Sequence, residues 1–240
     1  MQSYTRHQLK EDKFAKGAQE AVHWATEHRS KVIWSIAIVV VAAVAITGLV
    51  LWNNNQSVRA NEALASAIQT LNAPIRPAGA PADPNTRTFA NSVERAKKAA
   101  KQFQDVAAGY PHTKPGKMAA YLAGAATIQA ADIPGAEQQL KSVADSGDRN
   151  VSALAKLALA NIYGATNRAG DAAKTYRELI DHPTDTVPKD EAQIRLAELY
   201  EANDPKEAAN LYQQIKKENP DGVAAQIADA KLRADEKGGK

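Results

Sequence analysis

The side chains able to do chemistry are few and scattered along this sequence. Its five histidines are His7, His23, His28, His112 and His182. His23 and His28 stand five apart, whereas two ligands sharing one helical turn need a spacing of four. Neither has an acidic partner set, so both read as solvent-exposed. His112 and His182 each adjoin a proline, Pro111 and Pro183, and read as loop residues. Asp145, Asp148 and Asp171 fall where helices begin or end, and read as turn or cap residues rather than as a paired acid and base. No Gly-rich phosphate loop, nucleophile elbow or zinc spacing occurs. Cysteine is absent, which removes disulfides, thiolate metal sites and a Cys nucleophile. The expectation is a chain with no catalytic residues, no cofactor, no metal and no small-molecule substrate.

Charge excludes a second class. The 240 residues are 44% hydrophobic and 24% charged, with a formal net charge of +3. Residues 1–31 carry six Lys/Arg (Arg6, Lys10, Lys13, Lys16, Arg29, Lys31) against four acids (Glu11, Asp12, Glu20, Glu27), and residues 53–240 carry 24 against 23. A phosphate-backbone binder needs a basic stripe, and this interspersed surface has none, so no nucleic-acid partner is expected. Aromatics are only 5% and alanine recurs throughout. Alanine is the best helix former and lets helices approach closely, so the fold class reads as all-α.

One segment is unlike the rest. Val32 to Trp52 has no charge, and twelve of its residues are Val, Ile or Leu. At about 1.5 Å per residue it spans roughly 30 Å, the hydrocarbon thickness of a bilayer. At about −0.3 to −0.6 kcal/mol for each branched aliphatic, insertion is worth roughly −4 to −7 kcal/mol. Trp34 and Trp52 lie near its ends, where indoles prefer headgroups. A cleavable signal has a core of about 7–15 residues and a small-residue site just after it. Here a longer core is followed by Asn53-Asn54-Asn55-Gln56, and Ala65-Ser66-Ala67 stands too far downstream. The run reads as an uncleaved anchor. Lys13, Lys16, Arg29 and Lys31 precede it closely, and only Arg59 follows within twenty residues. The positive-inside rule then puts residues 1–31 in the cytoplasm and residues 53–240 across the membrane. Residues 1–31 have two readings. Leu9, Phe14, Ala18, Val22 and Ala25 fall near one face of an amphipathic helix that could lie on anionic lipid; the alternative is a solvated basic tail.

Beyond the run, residues 56–71 are rich in helix formers and read as its outward continuation. Residues 72–88 hold prolines 74, 77, 81 and 84 and read as a loop or flexible insertion. The rest repeats. Ala136, Ala172 and Ala208 are spaced by 36, as are Leu140, Tyr176 and Tyr212, each four residues on. Upstream of each pair lies an alanine-rich helical segment: 117–131, 152–163 and 189–200. Helix–turn–helix units at such a period indicate an α-solenoid. The segment 222–237 reads as a final helix capping the array.

The register resembles the tetratricopeptide repeat. The second unit has Leu159-Ala160, Tyr163, Ala172, Tyr176, Leu179 and Pro183. The third has Leu196-Ala197, Tyr200, Ala208, Tyr212, Ile215 and Pro220, with its inner turn one residue shorter. The first keeps Gly124, Ala136 and Leu140 but has Thr127 where the tyrosine would stand. Ahead of it, Ala99, Phe103, Val106 and Pro111 match a second helix alone, whose partner would be the segment before the proline-rich stretch. The domains expected are a cytoplasmic segment 1–31, a transmembrane helix 32–52, a linker and insertion 53–89, and repeats with a cap over 90–237. In such repeats the first helix of each unit lines the partner-binding side. The resemblance therefore implies a face of Met118, Tyr121, Ala125, Ile128, Leu157, Asn161, Glu198 and Glu201. Its apolar part could instead cover the 56–71 helix.

The order of parts, with Gln19-Glu20-Ala21-Val22 and Lys31 leading into the anchor, also resembles the ancillary subunit family of the Sec translocon. Its members are single-pass inner-membrane proteins with a periplasmic tetratricopeptide-like domain. The resemblance implies association with the translocon channel and with a membrane-anchored periplasmic chaperone, and a role in passing exported proteins onward. Two other classes stay open: a scaffold for envelope assembly or cell division, and an anchored binding subunit serving a cell-wall enzyme.

Overall fold

The computed structural model describes residues 23, 24, 26, 28–79, 81 and 87–238. His7, most of the tail expected to be amphipathic, and residues 80 and 82–86 of the proline-rich stretch lie outside these. Nine helices carry the described residues: α1 Arg29–Leu71, α2 Ser92–Gly109, α3 Lys114–Gln129, α4 Ile133–Ala144, α5 Arg149–Ala165, α6 Ala169–Asp181, α7 Lys189–Asn203, α8 Pro205–Glu218 and α9 Val223–Gly238. The protein is all-α, a long apolar N-terminal helix followed by packed repeat helices. It divides into two compact units at residues 55 and 56.

In the first unit the apolar stretch of α1 is exposed on every side. Trp34 is 70% exposed, Val41 68% and Leu51 63%, and none of its most apolar 18-residue window is buried. Thr47 spends its hydroxyl locally, donating to the Ala43 carbonyl at 2.8 Å. A helix apolar all round needs an apolar surrounding. This chain supplies none among the described residues.

In the second unit, the 56–71 part of α1 changes character. Ala60 and Ala67 are fully buried, and Ala67 joins Ala99, Ala100, Phe103 and Val106 of α2 and Ala119, Ala123 and Ala126 of α3 in one cluster. Small residues at these positions let three backbones approach a fully buried phenylalanine ring. The segment thus serves as first helix to α2. The stretch between them is tied down at both ends. Arg87 Nη1 donates to Thr70 Oγ1 at 2.9 Å, Arg95 Nη1 to the Ala73 carbonyl at 2.9 Å, and Ile75 pairs with Phe89 in a parallel bridge.

The hairpins α3–α4, α5–α6 and α7–α8 follow. Leu140, Val151, Leu159 and Ile162 fill one cluster, Tyr176 and Leu196 another, and Tyr212, Ile215, Ala224 and Ala228 the last, where α9 covers the end. Five of the helix starts are capped locally. Asn91, Thr113, Asp132, Asp148 and Asp204 accept from the N–H groups of Glu94, Gly116, Gly135, Val151 and Glu207, satisfying donors a helix start leaves orphaned. Asp148 is thus an N-cap, Asp145 the C-cap of α4, and Asp171 lies in the first turn of α6. The inner turns show why the third repeat is shorter. Ala131 (φ 62°) and Asn167 (φ 58°) take the left-handed conformation at the same place in the first two turns. In the third, Asp204 alone closes α7 and caps α8.

Candidate functional site

The eight residues expected on the partner face all lie on the first helices of the hairpins, α3, α5 and α7, but not in one environment. Met118, Tyr121 and Ile128 are half-buried and pack against the cluster of Leu140, Val151, Ala155 and Leu159. They bridge α3 to α4 and α5, and no residue of 56–71 belongs to that cluster. Burial raises the Tyr121 phenol above its ordinary value. Ala125 is half-buried one turn along α3. Leu157 packs against Ala172 and Tyr176 on one side and Leu179 and Val187 on the other. The polar members stand apart. Asn161 is exposed and its Oδ1 accepts from the Tyr176 hydroxyl at 2.6 Å. Burial pushes that hydroxyl up to about 12, and it is tethered as a donor. Glu198 accepts from Arg195 at 3.1 Å. Glu201 is exposed, accepting from the Tyr212 hydroxyl at 2.7 Å and from Lys231 at 2.9 Å. The eight therefore divide into half-buried apolar side chains on α3 and α5 and, on α5 and α7, amide and carboxylate oxygens held by hydrogen bonds.

The mouth of the α5–α6 hairpin holds a depression lined by Arg149, Lys156, Glu178 and His182. Lys156 and Glu178 bond to each other across it, which neutralises the only acid there. Among the described residues no group of His, Asp and Glu could hold a metal ion. His28 stacks on Trp24 with ring centroids 5.0 Å apart.

The strongest electrostatics join helices distant in sequence, between repeats at Glu137 and Asp148 and within the last hairpin at Glu218, and sequence reading missed them. Arg168 donates both Nη atoms to Glu137, at 3.0 and 2.7 Å, and lies 4.5 Å over the Tyr163 ring. Lys117 reaches Asp148, Lys189 reaches Glu218 and Lys231 reaches Glu201. Each pair is 29 to 31 residues apart in sequence, slightly less than one period. Opposite charges at that spacing were the available signal.

These pairs set an acid limit. The Arg168 and Lys141 hydrogen bonds hold the Glu137 carboxyl at about 2, and those of Lys189, Gln214 and Gln193 hold Glu218 at about 2, both from an ordinary 4.5. A carboxylate depressed by folding adds stability that is complete above its unfolded value and vanishes as pH falls through the folded one. Melting temperature, followed by circular dichroism, is therefore expected to hold down to about pH 4.5 and to fall between there and about pH 2. Glu137→Gln should flatten that fall. An unchanged slope would show that the Arg168 contact carries no linkage.

The family described as tetratricopeptide repeat-like domain matches residues 22–176, and a family described as tetratricopeptide repeat matches residues 191–222. Neither the curated proteins nor the solved structures give a match. Repeat domains of this kind bind protein partners and are typically non-catalytic. The first match spans more than half of the chain and takes in α1 to α5 with most of α6, so the chain belongs to the tetratricopeptide repeat-like domain family.

Proposed function

We propose that this protein is a permanent membrane-anchored scaffold that recognises other proteins and has no reaction of its own. One observation carries the reading: α1 is a single helix whose residues through Trp52 bury nothing, while its residues Ala60 and Ala67 are fully buried in the first repeat. The family match beginning at residue 22, upstream of the apolar run, supports treating the run as part of the working protein. In this reading residues 1–31 are cytoplasmic, 32–52 cross the membrane and the repeats work on the periplasmic side.

The finer reading is an accessory role at the Sec translocon, passing exported chains to a membrane-anchored periplasmic chaperone. The order of parts and the segment around Gln19 to Val22 support it. The partner face runs from Met118, Tyr121, Ala125 and Ile128 through Leu157 and Asn161 to Glu198 and Glu201. A photocrosslinking side chain placed at Ala125 or at Asn161, irradiated in native membranes, is expected to capture translocon subunits and newly exported chains. Capture of only division or outer-membrane assembly proteins would sink that role, yet leave the scaffold reading standing.

A further inference from the structure

The near balance of charge over residues 53–240 hides a division along the chain. Residues 56–117, which hold the first hairpin and the start of α3, carry nine Lys/Arg against four Asp/Glu. Residues 118–240 carry 15 against 19. The basic part is the one that follows the apolar run directly.

Its cations are used unequally. Arg87 is spent on Thr70, Arg95 on the Ala73 carbonyl and Lys117 on Asp148. The lysines of α2 are not spent in this way. Lys97, Lys98 and Lys101 are all exposed, and Lys97 and Lys98 have no ion-pair partner among the described residues. Lys101 has only Asp105, 3.5 Å away on the same helix and exposed, a pair that solvent screens. By contrast Lys141, Lys156, Lys189, Lys216 and Lys231 of the later repeats each reach a carboxylate.

At 3.6 residues per turn, Lys97, Lys101 and the exposed Gln104 project from one side of α2, with Lys98 at its edge. Ala99, Phe103 and Val106 hold the opposite side in the core. The other acid of α2, Glu94, accepts from the Ala90 N–H at 3.0 Å. The exposed side of α2 is therefore a basic patch. It is confined to one helix, shorter than the continuous stripe a nucleic acid needs. Lysine is a hydrated point charge on a flexible stem, which suits a plane of anionic headgroups better than a partner of fixed geometry.

We propose that the exposed side of α2, through Lys97, Lys98 and Lys101, docks on an anionic lipid surface and so holds the first hairpin against the membrane. The inference rests on the anchored reading, in which the tether makes the encounter intramolecular. Each lysine near an anionic surface then favours contact by roughly fivefold.

The absence of native cysteine makes the test clean. The full chain carrying Gln104→Cys, or Gln138→Cys on the exposed side of α4 as control, is reconstituted in two kinds of vesicle. One is phosphatidylcholine alone, the other equal parts phosphatidylcholine and phosphatidylglycerol. An uncharged, polymer-bearing maleimide is expected to modify residue 104 about fivefold more slowly in the anionic vesicles and residue 138 at one rate in both. Salt at about 1 M should erase the difference. Adding Lys97→Gln, Lys98→Gln and Lys101→Gln together should erase it too, with the melting temperature kept, since all three side chains are exposed. Equal rates at residue 104 in the two lipids, or equal slowing at residue 138, would overturn the proposal. So would slowing confined to native membranes, which would assign the patch to an acidic protein instead. Flotation is read on the same samples. Chain that does not float with phosphatidylcholine would refute the anchor, while the comparison of residue 104 between lipids decides the contact separately.

Discussion

Replacing Gly116 by alanine is expected to cost about 3 kcal/mol or more and to unfold the start of the first complete repeat. Gly116 lies in the first turn of α3, its N–H donating to the Thr113 cap at 3.1 Å. A Cβ at this position would fall 1.9 Å from the Tyr110 carbonyl oxygen. That atom belongs to the backbone of the turn joining α2 to α3, and it already accepts from the Thr113 N–H at 3.1 Å and the Thr113 hydroxyl at 2.9 Å. No rotamer change can move it aside, so the turn, its cap and the seating of α3 on Phe103 must shift together. Denaturant melts followed by circular dichroism would measure the loss. A change under about 1 kcal/mol would mean that the α2–α3 turn is not held as described. Gly124 makes a gentler control. Its Cβ would meet Leu140 Cγ at 2.7 Å, a side chain that can yield in part.

The contrast between those two glycines shows what a sequence exposes and what it conceals. Gly124 was legible because Ala136 and Leu140 recur at 36 residues, and helix crossings of small against large side chains leave that periodic mark. Gly116 left none, since its constraint is one carbonyl in an aperiodic turn. The alanine and tyrosine register, the caps at Asp145 and Asp148 and the apolar run were read for the same reason: each is enforced locally or periodically. The packing of the residues expected on the partner face was only half legible. Helical register placed Met118, Tyr121 and Ile128 on α3, but which neighbour takes them depends on how α5 stacks, and they go to the contact between repeats. The Glu137–Arg168–Tyr163 grouping and the bonds of Arg87 to Thr70 and of Arg95 to Ala73 join distant residues, and no pattern within one helix records them.

The second large effect concerns α1. Placing arginine at both Val40 and Val44 is expected to abolish membrane insertion. Each arginine near the middle of a span costs about 2.5–3.5 kcal/mol. Two therefore offset the roughly −4 to −7 kcal/mol that the twelve Val, Ile and Leu residues supply. Both valines are exposed, and the buried core of the repeats begins at Ala60, so helix content and the acid limit set by Glu137 should be kept. A V40R/V44R chain that stays in the membrane would show that something other than the apolar run holds the protein there.

The central claim is that this run is a permanent anchor with the repeats beyond it. Alkaline carbonate extraction of membranes bearing the unaltered chain, combined with protease added from the periplasmic side, tests it most directly. The full 25.7 kDa chain is expected in the pellet, with protease removing the repeats and leaving a protected fragment that ends shortly after Trp52. A soluble product lacking residues 1–52, or repeats that resist protease until the membrane is dissolved, would contradict it.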